Sequence, residues 1–210
     1  MSVYDELSEL IQKGKVKETG PAVQAALDSG VDAQSILDQG LLVGMAILGE
    51  KFKNGEVFVP EVMIAAKALN EGTAILKPIL VANDVKPVGK VVILTVEGDL
   101  HDIGKNLVKL MMEGVGFESL DLGADVSAEK VINAVKDFQP DIVAMSAMLT
   151  TTMAQHKVTI DALEAAGLRD KVKIMVGGTP MTEKFAKEIG ADAYTIDAAS
   201  AADAAVKLVA

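Results

Sequence analysis

The chain has 210 residues, a formal net charge of −10 at pH 7 and no cysteine. The acidic charge argues against nucleic acid as a partner, because affinity for a phosphate backbone depends on clustered Lys and Arg. Without cysteine the chain has no disulfide, thiolate metal site or iron–sulfur cluster, so any protein ligand to a metal must be a histidine nitrogen or an oxygen atom.

The N-terminal segment gives no sign of export or membrane insertion. Residues Met1–Leu7 are acidic and lack the basic-then-apolar order of a signal peptide. No apolar run approaches the roughly 18 residues of a membrane span. We therefore expect a cytoplasmic protein without a membrane partner.

The first part of the chain has the periodicity of packed helices. Apolar residues recur there every three or four positions, and the alternation typical of strands is absent. Glycine-containing breaks divide it into four predicted helices, near residues 3–12, 16–28, 33–53 and 59–81. Asp32 suits the N-cap of the third helix and Pro60 the first turn of the fourth. Pro21, inside the second helix, predicts a kink or a later start.

A linker at residues 83–87 precedes a second half with a different period. Short β-rich runs alternate there with amphipathic helices. The predicted strands are residues 90–96, 118–122, 141–146, 173–176 and 193–196. The predicted helices begin near Gly104, Ala128, Thr152 and Thr182, and after Ala199.

Strands joined in this way by helices form a parallel sheet with helices on both faces. The predicted fold class is therefore α/β. A four-helix bundle at residues 1–84 is followed by a doubly wound, five-stranded parallel sheet at residues 88–210, of flavodoxin-like or Rossmann-like type.

The loop after the first predicted strand, residues 97–104, holds two Asp residues and one of the two histidines between glycines. Ligands of open parallel sheets bind beyond the carboxyl ends of the strands, which makes this loop a candidate site. Asp99 can fix the ring of His101 for metal binding. The same pair can act as a general base. Alternatively, His101 is an ordinary loop residue and Asp102 caps the following helix.

A conventional metal or dinucleotide site does not suit this loop. Catalytic zinc takes three protein ligands, and the other histidine, His156, lies on a later predicted helix. The Gly-x-Gly-x-x-Gly pattern of dinucleotide sites is missing. A metal that is already held by a macrocycle, as in a corrin or a haem, needs only one protein ligand.

Three other predicted strands end in small or hydroxyl residues. The segment Ser146–Thr152 follows the third strand, Gly177 and Gly178 end the fourth, and Ala198 follows the fifth. Taken alone, the first is more typical of a polar loop with an N-cap, and a tight turn into the next helix explains the second as well as a binding role does. Together, the small residues at three strand ends suggest a deep, narrow slot.

These residues resemble the cobalamin-binding domains of methionine synthase and of the corrinoid proteins in methylotrophic and O-demethylating methyltransferase systems. The family pattern is Asp-x-His-x-x-Gly, then Ser-x-Leu, then Gly-Gly. The matching residues here are Asp99, His101 and Gly104, then Ser146 and Met148, then Gly177 and Gly178. Met148 replaces the usual leucine at similar volume. The resemblance covers the whole chain, because small corrinoid proteins of this family also carry an N-terminal helical domain.

The resemblance implies a cobalamin or related cobamide, a cobalt corrinoid, as cofactor. In such proteins the benzimidazole base leaves the cobalt and enters a slot in the sheet domain, and the motif histidine, here His101, binds the metal in its place. Asp99 would hydrogen-bond His101, and Thr152 would complete this catalytic relay. The implied cofactor-binding residues are Gly98, Asp99, His101, Asp102, Ile103, Gly104, Ser146, Met148, Thr150, Gly177, Gly178 and Ala198.

The function implied by the resemblance is methyl transfer by relay in one-carbon metabolism. The chain would receive a methyl group from a substrate-specific methyltransferase, and an acceptor methyltransferase would pass it to tetrahydrofolate or a thiol. A reductive activator would be a further partner, and the chain would lack full activity of its own. The helical half would cover the methyl-bearing face, so the halves would have to move apart around residues 83–87. A cobalamin-responsive sensor is the alternative.

Overall fold

The computed structural model describes residues 2–83 and 86–210. The chain divides into two compact units: Met1–Pro87 with Gly114–Gly116, and Val88–Glu113 with Phe117–Ala210. Asp84 and Val85, in the predicted linker, lie outside the described residues. Within the described ranges, no helix is both long and apolar enough to cross a membrane.

The N-terminal unit is helical, as predicted. Its helices are Val3–Gln12, Val16–Asp28, a continuous third helix made of Ala33–Ser35, π-helical Ile36–Leu41 and Leu42–Lys53, and a fourth, Val59–Ala82. Their apolar faces form a buried core that includes Leu7, Ile11, Val23, Ile36 and Leu41. The four predicted helices are confirmed, but the π-helical turn inside the third has no counterpart in the sequence analysis.

The predicted cap residues of these helices are confirmed. The carboxylate of Asp32 accepts a hydrogen bond of 2.9 Å from a backbone N–H in the first turn of the third helix. Pro60 lies in the first turn of the fourth helix. Pro21 lies inside the second helix, so the later start that it suggested is wrong. Its ring is exposed and removes one backbone hydrogen bond, while the nearby Val23 stays buried in the core.

The C-terminal unit is built on a parallel sheet, which confirms the α/β class. The strands are β1 (Gly89–Thr95), β2 (Phe117–Asp121), β3 (Ile142–Ser146), β4 (Lys173–Gly177) and β5 (Ala193–Tyr194), in the spatial order β2-β1-β3-β4-β5. The helices are Ile103–Gly114, Ala128–Phe138, Gln155–Ala165, the short 3₁₀-helix Arg169–Lys171, Glu183–Glu188 and Ala198–Val209.

The strand order creates a switch point between β1 and β3. From β1 the chain passes to β2 on one side of it and then crosses to β3 on the other side. Strands β1 and β3 pair from Val91 with Ile142 to Thr95 with Ser146, so the loops that follow them start side by side. Open α/β sheets bind ligands at this place.

Two predicted bounds at this edge of the sheet are wrong. Strand β5 stops at Tyr194 rather than residue 196, because the chain turns there and Asp197 caps the last helix with a side-chain hydrogen bond of 2.7 Å. The helix after β3 begins at Gln155 rather than Thr152. Thr152 belongs to a preceding turn, in which its N–H donates to the carbonyl oxygen of Leu149 at 3.2 Å.

An ion pair between a buried lysine and a half-buried aspartate links the start of helix Ile103–Gly114 to the end of β2. The Nζ atom of Lys105 lies 2.7 and 2.8 Å from the two carboxylate oxygens of Asp121. Lys105 is buried, and its Nζ also donates a hydrogen bond of 2.6 Å to the side-chain oxygen of Asn106. Burial alone would raise the pKa of Asp121, but hydrogen bonds from Lys105 and Gly123, with the charges of Lys105 and Lys109, lower it. The pair therefore fixes the helix that follows the histidine loop.

Candidate functional site

The loop after β1 orients the ring of His101 with a buried carboxylate. Oδ1 of Asp99 accepts a hydrogen bond of 3.0 Å from the backbone N–H of His101 and lies 2.7 Å from its Nδ1. An ionised carboxylate only accepts hydrogen bonds, so Nδ1 carries the ring proton. Nε2, whose lone pair is then available, has no hydrogen-bond partner among the described residues, and the side chain is 53% exposed. This geometry suits His101 as an oriented metal ligand or general base better than as an ordinary loop residue.

The second oxygen of Asp99 is held by the turn after β3. Oδ2 accepts a hydrogen bond of 2.7 Å from the hydroxyl of Thr152 and another of 2.7 Å from the N–H of Met148, with the N–H of Leu149 at 3.4 Å. Asp99 and Thr152 are 53 positions apart in the chain. The carboxylate thus joins the loop after β1 to the turn after β3.

Asp99 remains ionised although its side chain is buried. Burial alone would raise the pKa of this carboxyl, because it removes water from the charged form. Hydrogen bonds from the His101 backbone, the Thr152 hydroxyl, the Met148 backbone and the His101 ring outweigh that effect and hold the pKa well below its usual range. The site therefore presents His101 with a fixed negative charge.

We expect Thr152→Val to destabilise this site. The change removes the hydroxyl but keeps the shape, so the buried Asp99 carboxylate loses one donor. A hydrogen bond to a charged group contributes about 1.5–3 kcal/mol. The free energy of unfolding of the cobamide-free protein, measured in urea at pH 7, should fall by about that amount. Thr152→Ser is the matched control, because it keeps the hydroxyl. Equal losses in both variants would contradict the role given to the hydroxyl.

The residues around His101 expose apolar surface. Leu100 is 76% exposed and Ile103 is 77% exposed. A Cβ atom placed on Gly104 would meet no atom of the described chain within 4 Å. Asp102 precedes the helix, and its backbone oxygen accepts the ordinary first helical hydrogen bond, 2.8 Å from the N–H of Asn106. Its carboxylate accepts a hydrogen bond of 3.1 Å from the side-chain amide of Asn106, so the capping role predicted for Asp102 stays a prediction. Exposed apolar side chains beside an oriented histidine are typical of a binding surface.

The small residues at the ends of β3 and β4 lie next to one another. Ser146 pairs with Gly177, and the N–H of Ala147 donates to the carbonyl oxygen of Gly177 at 3.2 Å. Gly178 has a φ of +120°, and a Cβ atom there would lie 1.9 Å from the carbonyl oxygen of Ala147. Packing against β3 therefore requires glycine at position 178, and the turn alone does not explain it. Gly177 has ordinary contacts, with the oxygen of Thr195 at 3.6 Å.

Other predicted site residues make fewer contacts with the Asp99 network. Met148 reaches it through its backbone only, while its sulfur accepts a hydrogen bond of 3.4 Å from the hydroxyl of Thr179. Thr150 is exposed in the turn after β3. Ala198 is buried at the first turn of the last helix. Gly98, with a φ of +78°, forms the turn before Asp99.

His156, the second histidine, is buried rather than available to a ligand. Its Nδ1 lies 3.0 Å from the carbonyl oxygen of Met153, and its Nε2 lies 3.3 Å from that of Met145. Burial lowers the pKa of His156, although both carbonyl oxygens and the charge of Asp99 oppose this effect. His156 therefore serves to tie the turn after β3 to the strand itself.

These features define a class of protein: a parallel α/β sheet whose switch point carries one oriented histidine. Residues 89–207 match the family described as B12 binding domain, and residues 3–77 match a second family of the same description. The chain belongs to the B12-binding family and is a corrinoid protein.

Similar proteins cover almost the whole chain. A corrinoid protein of Desulfitobacterium hafniense strain Y51 is 38% identical over 212 residues, which cover 100% of this chain and 98% of that protein. The dimethylamine corrinoid protein of Methanosarcina barkeri is 40% identical over 209 residues, an alignment that covers 99% of this chain and 98% of that protein.

Solved structures agree with these sequence matches. A chain of the methanol:cobalamin methyltransferase complex from Methanosarcina barkeri aligns with a TM-score of 0.88 at 33% identity, over 97% of this chain and 78% of that one. A cobalamin-binding protein from Desulfitobacterium hafniense DCB-2 aligns with a TM-score of 0.80 at 32% identity, over 100% of both chains.

The residues of the site fit a cobalamin. Within residues 2–83 and 86–210, no group of three His, Asp or Glu side chains could hold a bare metal ion. A cobalt that arrives in a corrin ring needs one nitrogen ligand, and Nε2 of His101 can supply it. The exposed Leu100 and Ile103 and the open space at Gly104 suit a large ring with apolar edges. The matches to the B12 binding domain families confirm the class of the predicted cofactor.

Proposed function

We propose that the chain is a methyl carrier that binds its cobamide with the lower base displaced and His101 as the axial ligand of cobalt. One observation carries this proposal. The buried, ionised Asp99 holds Nδ1 of His101 at 2.7 Å, which leaves Nε2 as the ring atom that can bind a metal. Carboxylate–histidine–metal arrangements of this kind orient the ring and raise its basicity.

The relatives support a carrier in methyltransferase systems. Several relatives at about 40% identity are named trimethylamine or dimethylamine corrinoid proteins, and one structural neighbour belongs to a methanol:cobalamin methyltransferase complex. We infer that this chain likewise works with a substrate-specific methyltransferase. An acceptor methyltransferase, which uses a thiol or tetrahydrofolate, and a reductive activator complete the proposed system.

Each residue of the site has a part in this proposal. A bound cobamide supplies a cobalt that can accept a methyl group and release it to a nucleophile. His101 binds that metal, and Asp99 orients the imidazole and stabilises its Nδ1–H. Thr152 keeps Asp99 in place and ionised. Ser146, Gly177 and Gly178 would border the slot for the displaced base.

A transfer assay with labelled methyl groups tests the carrier function. The protein is loaded with methylcobalamin that carries an isotopic methyl label and is mixed with an acceptor methyltransferase and either a thiol or tetrahydrofolate. We expect label in one acceptor only when both proteins are present, and faster than from free methylcobalamin at the same concentration. In the reverse direction, methanol and mono-, di- and trimethylamine are tested as donors, each with a methyltransferase specific for it.

The outcome separates the carrier from the sensor. Transfer that depends on this chain supports the carrier. A protein that binds cobamide tightly but never exchanges label with any donor or acceptor enzyme, while cobamide changes the expression of other genes, would favour the sensor instead. The chain alone should transfer no methyl group, because it relies on the methyltransferases to bind donor and acceptor.

A further inference from the structure

A residue outside the family motif contacts the histidine loop on the side away from Thr152. Asp125 lies in the connection between β2 and helix Ala128–Phe138. Its Oδ1 accepts a hydrogen bond of 2.7 Å from the N–H of Gly98, and its own N–H donates to the carbonyl oxygen of Asp99 at 2.9 Å. One residue thus binds two consecutive residues of the loop, through its side chain and its backbone.

These two bonds hold a tight turn. Between them the N–H of Asp99 donates to the carbonyl oxygen of Val96 at 3.1 Å, and Gly98 has a φ of +78°. The connection that carries Asp125 is itself fixed on β1, because Val126 donates to the oxygen of Thr95 at 3.2 Å. The carbonyl oxygen of His101 is held at 3.0 Å by the hydroxyl of Thr95. The backbone of the loop is therefore tied to neighbouring elements on both sides of Asp99.

The backbone of Asp125 indicates that its carboxylate matters. Asp125 has a φ of +54°, in the left-handed region that favours glycine, and among the described residues only Gln139 is another non-glycine residue there. A glycine would adopt this conformation at lower cost. What aspartate adds is the acceptor for Gly98, whose bond length of 2.7 Å is that of a charge-assisted hydrogen bond.

We propose that Asp125 is a positioning residue for the axial histidine. It sets the backbone at Gly98 and Asp99, so that one Asp99 oxygen reaches His101 while the other reaches Met148 and Thr152. Without this contact, the Asp99 carboxylate can no longer bind His101 with one oxygen and Met148 and Thr152 with the other. The His101 ring is then less well oriented and binds cobalt less firmly. This inference rests on the proposed axial role of His101.

Two substitutions separate the carboxylate from the backbone conformation. Asp125→Gly relieves the left-handed backbone and removes the acceptor, whereas Asp125→Asn keeps an oxygen that can accept from Gly98. Gln139→Gly is the matched control, because it relieves the same kind of backbone conformation at a residue that ends helix Ala128–Phe138. All are reconstituted with hydroxocobalamin after folding is checked by circular dichroism.

The first readout is the strength of the His101–cobalt bond. Cyanide is titrated into each protein, and absorption follows the displacement of the protein ligand. We expect Asp125→Gly to lower the midpoint cyanide concentration about tenfold, the effect of one charged hydrogen bond. Asp125→Asn should lie between Asp125→Gly and the wild type, because its amide oxygen can accept from Gly98 but carries no charge. Gln139→Gly should match the wild type.

A second readout uses the cobamide-free protein. The amide proton of Gly98 should resonate at low field in nuclear magnetic resonance spectra of the wild type, and it should shift upfield and exchange faster in Asp125→Gly but not in Gln139→Gly. If the chemical shift and exchange rate of the Gly98 amide proton are unchanged in Asp125→Gly, or if its cyanide midpoint equals that of the wild type, the positioning role of Asp125 is wrong. The axial role of His101 is not affected by either result. A wild-type Co(II) spectrum without nitrogen coupling overturns the axial role of His101, and this inference with it.

Discussion

Replacing His101 with alanine abolishes the nitrogen hyperfine splitting of the Co(II) state in the protein reconstituted with hydroxocobalamin and reduced. This is the expected result because Nε2 of His101 is the nitrogen that the geometry leaves available, with Nδ1 held by Asp99 at 2.7 Å. Electron paramagnetic resonance measures the splitting directly, since it reports the nuclear spin of an axial nitrogen. The absorption spectrum should change at the same time to that of a cobamide without a protein nitrogen ligand.

The second histidine provides the control for this experiment. In His156 both ring nitrogens face backbone carbonyl oxygens, at 3.0 and 3.3 Å, and the side chain is buried. His156→Gln should therefore retain the splitting in full. A splitting that survives in His101→Ala, or that vanishes in His156→Gln with a folded protein, would contradict the assignment of the ligand.

The sequence predicted the elements well where hydrophobic periodicity determines them. Strands β1 to β4 and the four N-terminal helices lie close to their predicted bounds, because buried runs and amphipathic helices have distinct periods. The π-helical turn Ile36–Leu41 was not predicted, since a single widened turn barely changes the spacing of apolar residues. The early end of β5 depends on the cap at Asp197, which a strand pattern does not contain.

The candidate site was predictable only in part. The pairing of Asp99 with His101 is local, so their spacing indicated it, whereas the contact of Asp99 with Thr152 spans 53 positions and came from the family resemblance alone. Lys105 was missed because a lysine at a helix start is ordinarily solvated, and its burial depends on Asp121 at the end of another element. Asp125 was missed because its role depends on a backbone conformation that aspartate seldom adopts.

The second large effect is expected for Gly178→Ala. The new Cβ atom would lie 1.9 Å from the carbonyl oxygen and 2.8 Å from the carbonyl carbon of Ala147, and the φ of +120° is unfavourable for any side chain. Backbone must move, since neither contact is with a flexible side chain. Strain and overpacking together should lower the free energy of unfolding by about 2–5 kcal/mol, measured in urea without cobamide.

Alanine substitutions at two other glycines distinguish backbone strain from the close contact as causes of that loss. Gly190 has a φ of +79°, and a Cβ atom there meets no described atom within 4 Å. Gly190→Ala therefore introduces backbone strain without a close contact, and the free energy of unfolding should fall by about 1 kcal/mol. Gly177→Ala introduces an ordinary contact of 3.6 Å and should change stability little. If Gly178→Ala costs no more than Gly190→Ala, the close approach of residue 178 to β3 is not the reason that glycine is needed there.

Cobalamin binding by the same variants tests whether these glycines also border the proposed slot. Gly178→Ala should bind hydroxocobalamin more weakly, because the ends of β3 and β4 must separate to make room for the alanine Cβ atom. Gly177→Ala is the more informative variant, since it adds a side chain beside the slot without disturbing the strands. Equilibrium dialysis should then show weaker binding in Gly177→Ala with near-normal stability. Normal binding in that variant would mean that the displaced base does not lie against residue 177.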